Sequence, residues 1–470
     1  MPNEHFSNGK KIAFTASMFL YLFLVIASFW IFKPLKKTLF IEYYKAEGGF
    51  TLGSWEMLGS QAEQLAKIMN MAIALGAVIA ITLLVRRFRR QQLTYCCMGF
   101  LLVVLGWFSV ALREVSEWEV WAFYWFGDLY VGLMLAAFFS FLHDSVDIRN
   151  AKRLYGIIVL GAVTGGAFGS TFFRGWIKHL ETSQWLLIAL GAGVVVIALA
   201  FLSGLVAQST STPESQAAAA SSALAKTKVN AAQEGGRLVF QSRYLLAIAG
   251  IVFLYEITST VIDFQFTATI EHFLSGDEIG EQFATIYAIS NIAALVVQLS
   301  YGLLSMALPG IRIRWVLMVL PSTILLGSVA FIVFPILWVG SLLNTADSAF
   351  AYSVNQTARE TLYVPISRNE KYKARAFIEM FLQRTAKVVA IGVTLAITFL
   401  FTTKGADGGL VLNFDGLRWL SLFTCAVIAV WFYCVGIVGR KFEALRSNQA
   451  EPEDTALGQA QEQPTAGPPA

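Results

Sequence analysis

Charge is scarce in this chain of 470 residues: Asp, Glu, Lys and Arg make up 14% of it, where a soluble domain carries about a quarter. With 56% hydrophobic residues and a mean hydropathy of +0.61, so few charges cannot cover a water-facing surface. A soluble globular protein, a coiled coil and a largely disordered protein are all excluded. Histidine and cysteine are rarer still, at four each. His5, His143, His179 and His272 do not cluster, and the chain has no HExxH and no CxxC spacing, so no metal site is expected. Cys96, Cys97, Cys425 and Cys434 lie inside apolar runs and read as packing residues. There is no GxxxxGK[ST], no dinucleotide glycine fingerprint and no evident nucleophile–base pair, so neither a resident cofactor nor an enzyme activity is expected.

Long apolar runs are what the chain has instead. A helix crossing the hydrocarbon core needs about 20 of them in succession. That ruler predicts spans at 12–32, 65–85, 92–112, 118–142, 154–172, 183–205, 244–264, 282–304, 314–333, 334–356, 374–402 and 416–440. The first span is too long, and lacks the small-residue pattern, for a cleaved signal peptide. The expected fold is an all-α membrane protein of twelve transmembrane helices in two six-helix bundles, residues 1–205 and 244–440. Between them, 206–243 carries the small, polar run STSTPESQAAAASSALAKTKVNAAQEGG and reads as a linker. The tail 441–470, rich in Gln, Glu, Pro and Ala, reads as disordered. With the N-terminus inside, 23 Lys or Arg fall on the inner side and 9 on the outer, while 265–281 has none. The positive-inside bias therefore puts both termini in the cytoplasm and the chain in the cell (inner) membrane. Six spans, a linker and six more give the outline of a major-facilitator-type carrier, by analogy of fold.

An ionisable residue at the bilayer centre costs roughly 2.5–3.5 kcal/mol on an insertion scale, so each one calls for a reason. Asp128 in the fourth span and Glu256 in the seventh fall near the midplane. Thr260, Asp263, Thr267 and Glu271 follow Glu256 at steps of three and four, on one helical face. Asn344, Asp347, Ala351 and Asn355 form a second stripe, and Glu379, Gln383 and Lys387 a third. Pairing of acids and bases to hold helices together accounts for any one of these; a water-filled central cavity accounts for the set. Lys33, Lys36 and Lys37 lie within five residues around Pro34, which is expected to kink or restart the helix. They suit a multiply charged anion, or else they snorkel to the interface. Trp121, Tyr124 and Trp125 fit an interfacial aromatic belt or a ring shelf facing the cavity. Gly161, Gly165 and Gly169 make a GxxxGxxxG ridge that lets two helices approach closely.

The stretch NQTARETLYVPISRNEKYKARAFIEMFLQRTAK, residues 355–387, resembles the signature of the plastid and rickettsial type ATP/ADP translocases. Arg359, Glu360, Tyr363 and Pro365 match its first part; Lys371, Lys373, Arg375, Ile378, Glu379 and Lys387 match its second. IFKPLKKTL is similar to that family's first-span segment, placing Lys33 and Lys36 on its Arg and Lys. GDLYVGLMLAAFFSFLHD resembles its fourth-span segment with Asp128 for Glu, NAKRLYG follows it, and LYEITS supplies Glu256. The chain departs from the pattern at Asn150, at Ala374, at Val388-Val389 and at Ser259-Thr260. The resemblance thus implies the translocase-like superfamily ahead of a particular cargo.

It implies nucleotide exchange of the ATP:ADP antiport kind, with nucleotide as cargo rather than fuel. Lys33 and Lys36 would hold phosphate oxygens from one half, and Lys373, Arg375 and Lys387 would add positive charge from the other. Asp128 and Glu256 would organise those cations between loads. Two other readings stay open: a proton-coupled carrier of another organic anion or metabolite, and a non-transporting sensor or assembly factor on the same scaffold. The expected partners are a nucleotide or other phosphorylated anion and the lipid bilayer, with no nucleic acid and no obligate protein partner.

Overall fold

The computed structural model describes residues 8–87, 90–145, 148–208, 234–307, 312–405 and 409–461. Helix α1 is Asn8–Ala46, followed by the hairpin β1 (Phe50–Leu52) and β2 (Trp55–Met57). Then come α2 (Gly59–Arg87), α3 (Arg90–Ala111), α4 (Glu117–Ser145), α5 (Ile148–Trp176) and α6 (Thr182–Gln208). A short helix, α7 at 234–241, leads into α8 (Arg243–Phe273), α9 (Asp277–Ala307) and α10 (Ile313–Val333). α11 (Leu337–Phe350) passes through a π turn, Ala351–Asn355, into α12 (Gln356–Leu362). α13 (Arg368–Phe377) passes likewise through Ile378–Leu382 into α14 (Gln383–Phe401). A second hairpin, β3 (Thr402–Lys404) and β4 (Leu410–Leu412), precedes α15 (Phe414–Gln461).

Among the described residues, 11 helical segments are long and apolar enough to cross a membrane. The span expected at 334–356 is not one of them, because Asn344, Asp347, Asn355 and several Ser and Thr make it less apolar than the others; residues 337–362 are nonetheless helical throughout. Several boundaries differ from expectation. α1 continues through Pro34 for 39 residues, about 58 Å at 1.5 Å per residue. A transmembrane helix tolerates proline where neighbouring helices re-satisfy the freed carbonyl, and Pro34 is buried in the bundle. α2 begins at Gly59, six residues before the expected start, so its polar first turns belong to the bundle. α8 runs to Phe273, nine residues past the expected end, with Ser242 capping its N-terminus through the Leu245 N–H. Nor is the chain purely helical, since two short hairpins cap one end of it. α15 continues to Gln461 where a disordered tail was expected, because Ala, Gln and Glu are good helix formers. Residues 209–233 of the expected linker and 462–470 of the tail lie outside the described residues.

One buried cluster is built around α1 and α3 to α6, centred on Phe32, Phe108, Tyr130 and Phe173. A second is built around α8, α10 and α15, with Trp431 and Ile251 at its centre. A third cluster crosses between these two bodies, packing Phe40, Tyr44, Trp121 and Tyr124 against Phe266, Ile270, Phe283 and Tyr287. The glycine ridge of α5 lies directly on the α1 backbone. A Cβ at Gly161, Gly165 or Gly169 would overlap the carbonyl oxygens of Phe19, Phe23 and Ala27 in turn. Glycine is needed at all three for the helices to meet at this distance.

Candidate functional site

Where the two bodies face each other they enclose a cavity of about 510 Å³. Lys33, Lys36 and Lys37 reach it from α1, Lys67, Asn70 and Met71 from α2, and Tyr124 and Asp128 from α4. The other body supplies Glu256, Ser259, Thr260 and Asp263 from α8, and Asn344, Asp347 and Ser348 from α11. Gln356, Arg359, Gln383 and Lys387 line it beyond the two π turns, and Tyr255 and Tyr287 also border it.

The lysines of α1 do not snorkel. Lys36 and Lys37 are 4% and 3% exposed, and each has a carboxylate partner. Lys36 Nζ lies 2.6 Å from Asp128 Oδ1 and 4.4 Å from the centre of the Tyr124 ring. Gly127 makes room for it, because a Cβ there would come within 2.9 Å of Lys36 Cδ. The amide of Asn70 donates to the other oxygen of Asp128. Lys37 Nζ donates to Asp263 at 2.9 Å and to the Thr267 hydroxyl at 2.9 Å. Lys67 meets the other oxygen of Asp263 at 2.6 Å. Glu63, fully buried, lies 3.3 Å from Lys37 and 3.4 Å from Lys67, and accepts from the Tyr124 hydroxyl at 2.8 Å. Burying these charges is tolerable because each is paired and hydrogen-bonded.

Lys33 is different. Its ammonium sits 4.6 Å over the Trp30 ring and 4.7 Å over the Tyr287 ring, and among the described residues it has no carboxylate partner. Arg359, 5.1 Å over the Tyr255 ring, is likewise without a carboxylate among the described residues. Lys387 and Glu256 form a looser pair at 3.6 Å. Asp347 is 5% exposed and accepts from the Ser259 hydroxyl at 2.7 Å, while its other oxygen has no partner among the described residues.

Trp121, Tyr124 and Trp125 do not form a belt. Trp121 donates to the Tyr44 hydroxyl, Tyr124 carries the contacts above, and Trp125 donates to the Ala66 carbonyl at 3.2 Å. Four expected site residues lie away from the cavity. Lys373 pairs with Glu234 at 2.6 Å, and Arg375 pairs with Glu360 at 2.8 Å and with Glu379 at 2.6 Å. Asn355 is buried inside its π turn with both amide atoms unpartnered among the described residues. The π turns explain the departures of Asn355 and Glu379. Each inserts one residue into the helical repeat, so the α11 stripe resumes at Gln356 instead of Asn355. By the same shift, Gln383 and Lys387 face the cavity while Glu379 turns away. Glu63 precedes the expected second span, while Lys67 and Asn70 fall inside it; their steps of three and four from Ser60 are the signal that joins them.

Further hydrogen bonds and ion pairs link the two bodies between this cavity and the hairpin end. Glu271 accepts from the backbone N–H groups of Gly59 and Ser60 at 2.8 and 2.9 Å, capping α2 from the opposite body. Gln61 donates to Thr398 and Thr402, and Lys404 bonds Glu56 across the two hairpins.

No family model matches the chain. ADP,ATP carrier protein 2 of Chlamydia trachomatis serovar D is 19% identical over 374 residues, 70% of this chain and 67% of the carrier. Among solved structures, a bacterial homolog of the human lysosomal transporter Spinster, inward-facing and occupied, covers 94% of this chain and 99% of its own. It shares 13% identity at a TM-score of 0.56. The nucleoside transporter NupG covers 93% of this chain and 99% of its own, with 12% identity and a TM-score of 0.55. Fold and cavity together define a multi-pass helical membrane protein with the architecture of major-facilitator transporters. Within that class, the chain resembles the ATP/ADP translocases along most of its length, beyond the motifs alone.

Proposed function

We propose that this protein exchanges phosphorylated anions across the cell (inner) membrane by alternating access, with nucleotides of the ATP/ADP kind as cargo. The observation that carries the reading is the pair of cations Lys33 and Arg359, neither with a carboxylate partner among the described residues, in one cavity between the two bodies. An anion of several charges is strongly disfavoured in a low-dielectric site unless such cations meet it. A cavity of about 510 Å³ suits a drug-sized ligand. Lys33 and Lys36 would take phosphate oxygens, and Lys387 would give up Glu256 to do the same. Binding and reorientation need no bond to break. In this reading residues 337–362 supply a twelfth span, both termini are cytoplasmic, and the hairpins cap the outer side.

The test is counter-flow in proteoliposomes preloaded with unlabelled ATP, ADP or another phosphate. Labelled ATP enters preloaded vesicles and not empty ones; no uptake under any preload refutes nucleotide exchange. One feature favours a second reading, a proton-coupled carrier of another organic anion: Asp347 lines the cavity bonded to a serine hydroxyl, with no ion pair among the described residues. Uptake driven by an imposed pH gradient without internal counter-substrate would select that reading.

A further inference from the structure

Asp263 stands apart from the other acids of the cavity, because both of its lysine partners belong to the opposite body. Lys37 on α1 and Lys67 on α2 reach it at 2.9 and 2.6 Å. Glu63 and Asp128, by contrast, neutralise lysines of their own body. If α8 moved away from α1 and α2, Glu63 would be the one carboxylate among the described residues left with Lys37 and Lys67, beside Lys33, which has none. That leaves a strong excess of buried positive charge, which is heavily disfavoured. The contacts nearer the hairpins, such as the Glu271 cap on α2, must part in the same movement.

We infer that Asp263 is a built-in stand-in for the cargo's negative charge: it latches the two bodies at the hairpin end when no anion is bound, and an anion reaching Lys37 and Lys67 releases it. Asp263 is a positioning residue here, acting through those lysines. The inference rests on the cargo being an anion, and it deepens that reading. It makes charge, ahead of shape, the trigger for opening, and it gives obligatory exchange a physical cause. An empty carrier stays latched, and a neutral molecule in the cavity leaves it so.

The test reads the latch without any cargo. Spin labels go on cysteines replacing the exposed Trp118 and Phe334, in the full chain with its four native cysteines changed to alanine. Without ligand, the latched chain gives one short distance; Asp263→Asn adds a longer population, and tripolyphosphate adds the same population to the chain with Asp263 intact. In proteoliposomes, Asp263→Asn raises net uptake into vesicles lacking internal counter-substrate by about tenfold or more, in line with losing charged hydrogen bonds. Lys67→Gln leaves Lys37 on Asp263 and serves if the first variant does not fold; it moves the distance the same way by a smaller amount. An unchanged distance in the variant that folds overturns the latch. If the distance shifts while counter-flow with nucleotides fails, the latch stands and the cargo is another anion. If nucleotides exchange while the distance stays fixed, exchange stands and the latch falls.

Discussion

Replacing Asp128 by Asn should pull stability and anion affinity in opposite directions. The substitution keeps the shape of the side chain and removes the charge that Lys36 Nζ meets at 2.6 Å. Breaking a buried ion pair by removing one partner costs about 3–5 kcal/mol. Here Lys36 is almost fully buried, but the Asp128 side chain is 35% exposed to the cavity, so screening reduces the figure to about 1–3 kcal/mol. The Tyr124 ring face at 4.4 Å retains part of the stabilisation of the cation. The assay is a double-mutant cycle with Lys36→Met, read by reversible unfolding in mixed micelles. A coupling of about 1–3 kcal/mol between the two positions is expected, and additivity within about 0.5 kcal/mol refutes the pairing. The same Asp128→Asn protein, with Lys36 released from its carboxylate, should bind ATP more tightly than the unaltered chain. Affinity falling together with stability would refute the assignment of Lys36 to the anion.

Lys33→Gln should raise the KM for the exchanged anion by about 10- to 100-fold, the range set by one charged hydrogen bond of about 1.5–3 kcal/mol. Transport in proteoliposomes checks it, and an unchanged KM removes Lys33 from the site. Lys373→Ala with Arg375→Ala should leave KM within about twofold, because those residues pair with Glu234, Glu360 and Glu379 away from the cavity. A large rise in KM would restore them to the binding set. Gly165→Ala should destabilise the protein by at least about 1–3 kcal/mol, since its Cβ meets the Phe23 backbone, which cannot rotate aside. Unfolding in micelles at the same midpoint as the unaltered chain would refute that contact.

The general plan was legible because it rests on cost. Apolar runs can go nowhere but the bilayer, and charges within them must have partners, so Lys36, Asp128, Glu256 and Asp263 stand out in the sequence and meet in the cavity. The glycine ridge was legible for a similar reason: three glycines at steps of four give a face without side chains, and a neighbouring backbone fills it. What could not be read was phase. The stripes through Asn355 and Glu379 assume an unbroken 3.6-residue repeat, and each crosses a π turn that no residue type announces. Glu63 failed for another reason, since a hydropathy ruler starts a span where polarity ends. A helix whose polar first turns are covered by neighbours begins earlier than that ruler allows.

The contact between α5 and α1 has a mechanical consequence. With no side chains between the two backbones at Gly161, Gly165 and Gly169, there is no slack, and α1 has its fulcrum there. Lys33, Lys36 and Lys37 lie six to ten residues beyond Ala27, the last of the three ridge contacts, or about 9–15 Å along the helix. A tilt of about 10° at the ridge would carry those ammonium groups by about 2 Å, more than a hydrogen-bonded ion pair tolerates. If the proposed exchange tilts α1 on this ridge, the reach of its lysines toward their carboxylates, and so toward an anion, would change with the tilt.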